Sequence, residues 1–318
     1  MMKKLTRTEA ARFLQERDHF AILSHRRPDG DTIGSSAALC LGLRMLGKTA
    51  HVIENPEVSP RFQWLHAGLT KKNVEAGDTI VSTDVAAPNM LPRDLEHLVG
   101  SIALRIDHHG TASSFTEFEI VDPESASCAE LVYDILMEMG AEMDKNLAEA
   151  VYVGASTDTG CFRFANTTAH TFQTAAACAE AGAGIYELNQ ALFETNTLGR
   201  LRIQAWIVEH MKLLREGELA LCAIPRSVEQ ELGVTEDDMD NISSFPRSIA
   251  GVQVAATLRE TADGETKMSF RAVPGKDAAA IAVKFGGGGH KGAAGASLHL
   301  PLKEAAEQVE KVMLEEAP

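Results

Sequence analysis

The segment His19-Phe-Ala-Ile-Leu-Ser-His25-Arg-Arg-Pro-Asp29-Gly-Asp31 decides how this chain folds. Its first six residues are mostly apolar and read as a buried strand. Pro28 and Gly30 then keep the chain out of a helix. Over residues 31–46 the pattern is helical, with Asp31 near the start and Gly47 just past the end. Strand, loop and helix in that order begin a parallel α/β unit. The loop sits at the carboxyl end of its strand, where open α/β sheets place their ligand crevices. Three hard ligands, His25, Asp29 and Asp31, fall within seven residues of it.

Outward from this loop the alternation continues. Residues 49–54, 79–83 and 102–106 read as further strands, and 126–139 and 145–155 as amphipathic helices. This predicts an α/β first domain over 1–195, with a mainly parallel sheet flanked by helices. One helical stretch over 197–214 reads as a connector, giving a linker helix at 196–215. Strands at 219–224, 251–258 and 267–272, with helices at 277–285 and 302–316, make 216–318 a smaller α+β domain. A length of 318 residues suits two domains.

Charge and composition exclude several classes. Forty-five acidic against thirty basic side chains give a net charge of −15, which disfavours a non-specific duplex DNA binder. Charged residues interrupt 1–17, so no signal peptide is expected there, and no apolar run is long enough to span a bilayer. The five cysteines form no C-x-x-C and fit a reducing cytosol. A cytoplasmic protein is expected.

Other strand ends repeat the ligand chemistry. Asp84 ends the run at 79–83, and Asp107, His108 and His109 end the run at 102–106. Asp158 is expected to follow the helix at 145–155 and head a Gly-containing turn. If these strands are neighbours, the groups face one crevice. Aspartate oxygens with a minority of imidazole suit Mn²⁺, with Mg²⁺ as the alternative. Four aspartates offset two divalent ions, and without cations they would raise one another's pKa values. A shared carboxylate holds two ions at phosphoesterase spacing, and Asp84 is the candidate bridge. Asp107 is expected to orient His108, leaving His109 to touch phosphate or protonate a leaving oxygen.

A second signal lies near the C-terminus, in Phe285-Gly-Gly287-Gly288-Gly289-His290-Lys291-Gly-Ala-Ala-Gly295. Glycines let main-chain N–H groups approach an anion, and His290 and Lys291 add donors, so a phosphate cradle is expected. Arg271 is a candidate second contact. The spacing is not that of a P-loop.

Together these motifs resemble the DHH phosphoesterase superfamily with its associated C-terminal domain, in the short nanoRNase/pAp phosphatase branch. His25-x-x-x-Asp29-x-Asp31, Asp84, Asp107-His108-His109 and Asp158 look like its four motifs, and Gly287-Gly-Gly-His290-x-x-Ala293-Ala-Gly295 like the C-terminal signature. The resemblance implies that His25 and Asp29 bind one Mn²⁺, that Asp31, His108 and Asp158 bind the other, and that Asp84 bridges them. It casts His109 as the substrate contact and Arg271, His290 and the glycines as nucleotide-binding residues. The run Asp158-Thr-Gly-Cys-Phe-Arg163-Phe also resembles this branch, and makes Arg163 a further binding candidate. The implied activity is hydrolysis of very short RNA to mononucleotides, removal of the 3′-phosphate of 3′-phosphoadenosine 5′-phosphate (pAp), or both. Short single-stranded RNA or DNA oligonucleotides or a nucleotide bisphosphate are the implied partners, with no long duplex and no membrane; a homodimer stays open. A phosphodiesterase for cyclic di-AMP or pApA shares the layout. A catalytically silent nucleotide-binding protein would share the fold alone.

Overall fold

The structure, a computed structural model, describes residues 3–110 and 114–316. The chain divides into two compact units, Met1–Thr195 and Asn196–Pro318.

In the first unit the strands are β1 (Lys3–Lys4), β2 (Phe20–Leu23), β3 (Ala50–Ile53), β4 (Thr70–Lys71), β5 (Thr79–Thr83), β6 (Ile102–Asp107) and β7 (Phe118–Val121). They form one sheet in the order β1-β7-β6-β5-β2-β3-β4, every pairing parallel. The helices are α1 (Arg7–Gln15), α2 (Gly30–Met45), α3 (Cys128–Glu138), α4 (Lys145–Asp158), α5 (Ala169–Glu180) and α6 (Ile185–Asn189). Strand periodicity sends Phe20 and Ile22 into a core shared with Ile33, Leu131 and Val151 from α2, α3 and α4. Ala21 and Leu23 point to the other face, under Ile80, Ile102, Val85 and Leu91. Burial on both faces explains why the central strands read as continuous apolar runs.

Strands β2, β5 and β6 are consecutive in the sheet, so the three ligand-bearing strand ends emerge side by side. Helices α2 and α4 cross closely enough to require glycine. A Cβ on Gly34 of α2 would lie 2.5 Å from the Ala150 carbonyl oxygen of α4, and one on Gly154 of α4 would lie 2.9 Å from Asp31 Oδ1 of α2, as well as 2.3 Å from the Ala129 Cβ of α3. This contact brings the start of α2 and the end of α4 to one place.

The second unit contains α7 (Leu198–His210), β8 (Lys212–Leu214), β9 (Leu219–Ile224), α8 (Arg226–Leu232), β10 (Val254–Glu260), β11 (Thr266–Ala272), α9 (Ala278–Val283), β12 (Gly288–Gly289), β13 (Ala293–Leu298) and α10 (Leu302–Glu316). Its mixed sheet runs β12-β13-β11-β10-β9-β8, with only the β9–β10 pair parallel. Phe270, Met268 and Leu221 pack against α9 and α10, while Ile203 and Ile207 of α7 bury against Cys222, Ile224 and Met239. The helix expected over 197–214 is therefore shorter. It ends at His210, and Lys212–Leu214 pairs antiparallel with β9. Sheet pairing satisfies backbone groups of Lys212–Leu214 that a helix end would leave open.

Candidate metal centre

The loop after β2 turns into α2 through Asp29, the N-cap, whose Oδ1 accepts the N–H groups of Asp31 and Thr32 at 3.1 and 3.0 Å. The His25 ring holds its neighbouring carbonyl, Nδ1 to Arg26 O at 2.7 Å, which leaves Nε2 for another partner. Asp84, directly after β5, is buried and has a positive φ of 60°, a sparsely populated conformation for a residue with a side chain. Its backbone N–H is fixed by Ile106 O at 2.9 Å and its Oδ2 accepts from the Thr32 hydroxyl at 2.6 Å.

Asp31 is buried, and both its oxygens face the first turn of α3. The N–H groups of Cys128 and Ala129 donate to it at 2.7 and 2.9 Å. A helix N-terminus favours a carboxylate there. The His108 ring Nδ1 meets Ser125 O at 3.2 Å, again freeing Nε2. Asp158 is the last residue of α4, since the helix continues past 155 through Thr157, whose hydroxyl donates back to Val153 O, and the Gly-containing turn follows it directly. Asn166 fastens this end, with its amide at 2.9 Å from Ala126 O and 3.2 Å from Asp158 O.

These side chains converge into overlapping triplets. His25, Asp29 and Asp84 have ligand atoms within 4.8 Å of one another, and so do Asp31, His108 and Asp158. Asp84 joins them: its Oδ2 is 3.8 Å from His25 Nε2 and its Oδ1 3.8 Å from His108 Nε2. Asp84, His108 and His109 make a third triplet. The donors fit hard divalent cations. Asp84 Oδ1 is buried with no hydrogen-bond partner among the described residues, and such an oxygen is costly unless a ligand completes it. Burial pushes Asp31 up to about 7 and Asp158 up to about 6, and raises Asp84 well above the carboxylate range.

Asp107 behaves differently. Burial is the largest single influence and raises it, but the His109 ring's hydrogen bond and charge, the His109 backbone N–H and the Arg105 charge together outweigh it and leave its pKa below the usual value. Its Oδ1 takes His109 Nδ1 at 2.8 Å together with the backbone N–H groups of His108 and His109. Asp107 therefore orients the His109 ring, and the expectation that it orients the His108 ring is corrected: a backbone carbonyl does that. Behind Asp107 lies Arg105, 1 % exposed, paired with Glu119 at 2.6 Å and 3.9 Å from Asp107 Oδ2. Thr32, Arg105 and Glu119 were not singled out from the sequence. The Ser127-x-x-Glu130 pattern that starts α3 was a readable N-terminal signature.

Arg163, on the same unit, is exposed, and its Nε is tied back to Gly160 O at 2.6 Å. The remaining binding candidates lie on the second unit. Gly288 and Gly289 pair with Gly295 and Ala294 as a short hairpin. A Cβ on Gly287 would stand 2.1 Å from Gly295 O, so close strand approach already requires that glycine. The N–H groups of Gly287 and His290 donate to Ala282 O and Ala293 O, so they do not form the expected main-chain cradle. The side chains of His290 and Lys291 are exposed beside it.

The model of the DHH family N-terminal domain matches residues 19–155, and the DHHA1 domain matches 221–316. The chain belongs to the DHH family. Members of this family are metal-dependent phosphoesterases, so the chain is a hydrolase. It is 34% identical to the bifunctional oligoribonuclease and PAP phosphatase NrnA of Thermus thermophilus, over 93% of this chain and 89% of that protein. The protein of the same name from Bacillus subtilis is 26% identical over 92% and 93%. An exopolyphosphatase-related protein of Bacteroides fragilis superposes with a TM-score of 0.84 at 25% identity, covering 97% of this chain and 96% of that one.

Proposed function

We propose that the protein uses two Mn²⁺ ions, with Mg²⁺ as the alternative, to release mononucleotides from very short RNA and to remove the 3′-phosphate of pAp. The observation that carries this is the double placement of Asp84, with one oxygen toward the His25–Asp29 group and the other toward the Asp31–His108–Asp158 group. His25, Asp29 and Asp84 would hold one ion, and Asp31, His108 and Asp158 the other, with Asp84 shared. Such ions supply an activated water and neutralise charge on the phosphoryl oxygens. The names of the Thermus and Bacillus relatives support the substrate class.

His109 serves as the substrate contact. Asp107 accepts its Nδ1 proton at 2.8 Å, which fixes the ring and, in the protonated imidazolium, would leave Nε2–H for a phosphate or leaving oxygen. The same hydrogen bond raises the His109 pKa, so the ring keeps the proton it would donate. Arg163, Arg271, His290 and Lys291 would bind the rest of the nucleotide. Five free cysteines support a cytoplasmic setting, and among the described residues no helix is long and apolar enough to cross a membrane.

The test presents purified, Mn²⁺-loaded protein with pAp, a 5′-labelled dinucleotide, a 24-mer, cyclic di-AMP and pyrophosphate. Turnover of pAp and the dinucleotide is expected, with little of the 24-mer. Turnover of cyclic di-AMP alone would reject the proposal, and no turnover of any would leave a binding protein.

A further inference from the structure

Until its last residue β6 is apolar except at Arg105, the bulkiest fully buried side chain among the described residues. Side chains alternate along a strand, so Arg105 and Asp107 share one face of the sheet, opposite Leu104 and Ile106. Glu119 stands directly across from Arg105 on β7. The guanidinium is fixed from several sides. Its Nη2 donates to Glu119 Oε2 at 2.6 Å and its Nη1 to Ala86 O at 3.3 Å, while Cζ lies 5.0 Å from the Phe115 ring centre. The other Glu119 oxygen accepts from the Ser114 hydroxyl at 2.9 Å. So placed, Nη1 stands 3.9 Å from Asp107 Oδ2, a buried oxygen with no hydrogen-bond partner among the described residues. The His109 ring and the N–H groups of His108 and His109 all donate to the other oxygen, Oδ1.

Stability does not account for the pair. Two charges taken out of water gain little beyond their own desolvation, and an apolar pair of the same volume often serves a core as well or better. The sheet itself does not call for charge here either: Ile106 and Ile120 fill the next register position. Asp107 does call for it. A buried carboxylate with one oxygen bare would rotate toward any donor, and rotation breaks the grip of Oδ1 on the ring. A guanidinium fixed near Oδ2, but beyond hydrogen-bond reach, balances the charge without competing for the oxygen that holds His109. Glu119 supplies the restraint. Without it the fork of Arg105 would close on Asp107 and draw the carboxylate off the ring.

We propose that Arg105 and Glu119 are positioning residues for the hydrolytic reaction, a buried pair that holds Asp107 against His109 and so aims the ring at the phosphate. They act through Asp107. The link from the ring to turnover rests on the reading of His109 as the substrate contact; the link from the pair to the ring does not.

The experiment removes both charges together, because a single substitution strands the other in the core. Arg105→Met with Glu119→Met keeps the volume and makes it apolar. Hydrolysis of pAp, Mn²⁺ titration and urea denaturation are measured on the full chain. The ring is read separately, in Mg²⁺-loaded protein at one pH, from the nitrogen resonance of His109 Nδ1, assigned by its loss in His109→Gln. The double variant is expected to keep its fold and its Mn²⁺ affinity. Its kcat falls about ten- to hundredfold at unchanged KM, and the Nδ1 resonance moves toward that of an imidazole without the hydrogen bond. Arg105→Lys, which keeps a charge beside Asp107, recovers part of kcat. A folded double variant with wild-type kcat and an unmoved resonance overturns the proposal, and the pair is then structural. Loss of kcat with an unmoved resonance overturns the route through the ring, and an Arg105→Lys as impaired as the double variant overturns the role of the charge. Should the double variant fail to fold, Glu119→Gln carries the test: it keeps the shape and a hydrogen bond to Arg105 but releases the guanidinium toward Asp107. The resonance is expected to move there and kcat to fall severalfold, and no change in either is equally fatal. A moved resonance with wild-type kcat sinks His109 as the substrate contact, and the catalytic role of the pair with it. If wild type hydrolyses no pAp while the resonance moves in the variants, the link from pair to ring stands and the substrate reading falls.

Discussion

Gly154→Ala attacks the proposed metal centre from behind, without touching a ligand side chain. The new methyl would lie 2.3 Å from the Ala129 Cβ and 2.9 Å from Asp31 Oδ1. To bring the first of these to an ordinary contact of 3.4 Å, α3 and α4 must separate by 1.1 Å. Ala129 also supplies one of the two N–H groups that hold Asp31, so the same movement loosens that carboxylate twice over. Overpacking of this kind costs about 1–3 kcal/mol. Replacing glycine by alanine in a helix offsets this by about 1 kcal/mol. The net loss is about 0–2 kcal/mol, at its upper end roughly 4–8 °C in Tm for a unit of this size. Metal affinity suffers more, by about 10- to 100-fold, the usual cost of disturbing a group that positions a ligand. Thermal denaturation with and without Mn²⁺, together with Mn²⁺ titration, measures both effects. Gly100→Ala is the control, since its Cβ would meet nothing within 4 Å. If Gly154→Ala matched Gly100→Ala in Tm and in Mn²⁺ affinity, the coupling of helix crossing to metal site would be wrong.

Asp84→Asn removes one of the crowded acids, so the metal-free variant is expected to melt above metal-free wild type. Its gain on adding Mn²⁺ should be small, against about 3 kcal/mol per site in wild type at a hundredfold excess over Kd; an undiminished gain in differential scanning calorimetry rejects the shared carboxylate. Arg105→Met leaves Glu119 buried without its partner and should cost about 3–5 kcal/mol by urea denaturation; a loss under 1 kcal/mol would show the pair to be idle. Burial lowers the His66 pKa from 6.5 to about 4, so the unfolded chain binds this proton more readily than the folded one. Stability from this group is full above pH 6.5 and is lost as pH falls toward 4, by up to about 3 kcal/mol. In His66→Gln the stability difference between pH 7 and pH 4.5 should shrink, and urea midpoints identical in slope to wild type would refute it.

The sequence made the ligand-bearing strands legible because β2, β5 and β6 are apolar on both faces and end in acids or imidazoles. Adjacency of the three strands was only a condition there, since strand order leaves no local trace. Strand β7 escaped because Glu119 interrupts its apolar pattern, and its pairing with Arg105, with the Ser114 hydroxyl on its other oxygen, makes a buried acid tolerable at that place. The end of α4 was cut short because Ser156, Thr157 and Asp158 are weak helix formers, held helical by back-bonding hydroxyls and by Asn166. Lys212–Leu214 continues the apolar spacing of α7 and reads as helix until a partner strand is known. Close approach at Gly34 and Gly154 has no signature at all, because glycine in a helix reads only as a weakness.

The acids of this centre divide into two kinds, and the division is physical. Asp31, Asp84 and Asp158 are held up toward neutrality by burial, even though α3 donates to the first and Thr32 to the second. Asp107 is as deeply buried, yet the His109 ring, and to a lesser degree Arg105, hold it below the usual range. An acid that ionises unaided has its positive charge already in the protein. Acids that do not must obtain it from outside, and three of them share one crevice with imidazole nitrogens left free. Neighbouring residues of one Asp-His-His motif thus serve opposite ends, with His108 turned to the carboxylates of Asp31, Asp84 and Asp158 and Asp107 turned to His109. The direction of each acid's shift runs parallel to the geometry, in which the His109 ring meets Asp107 while the His108 ring meets a backbone carbonyl, and spacing alone had put Asp107 on the wrong histidine.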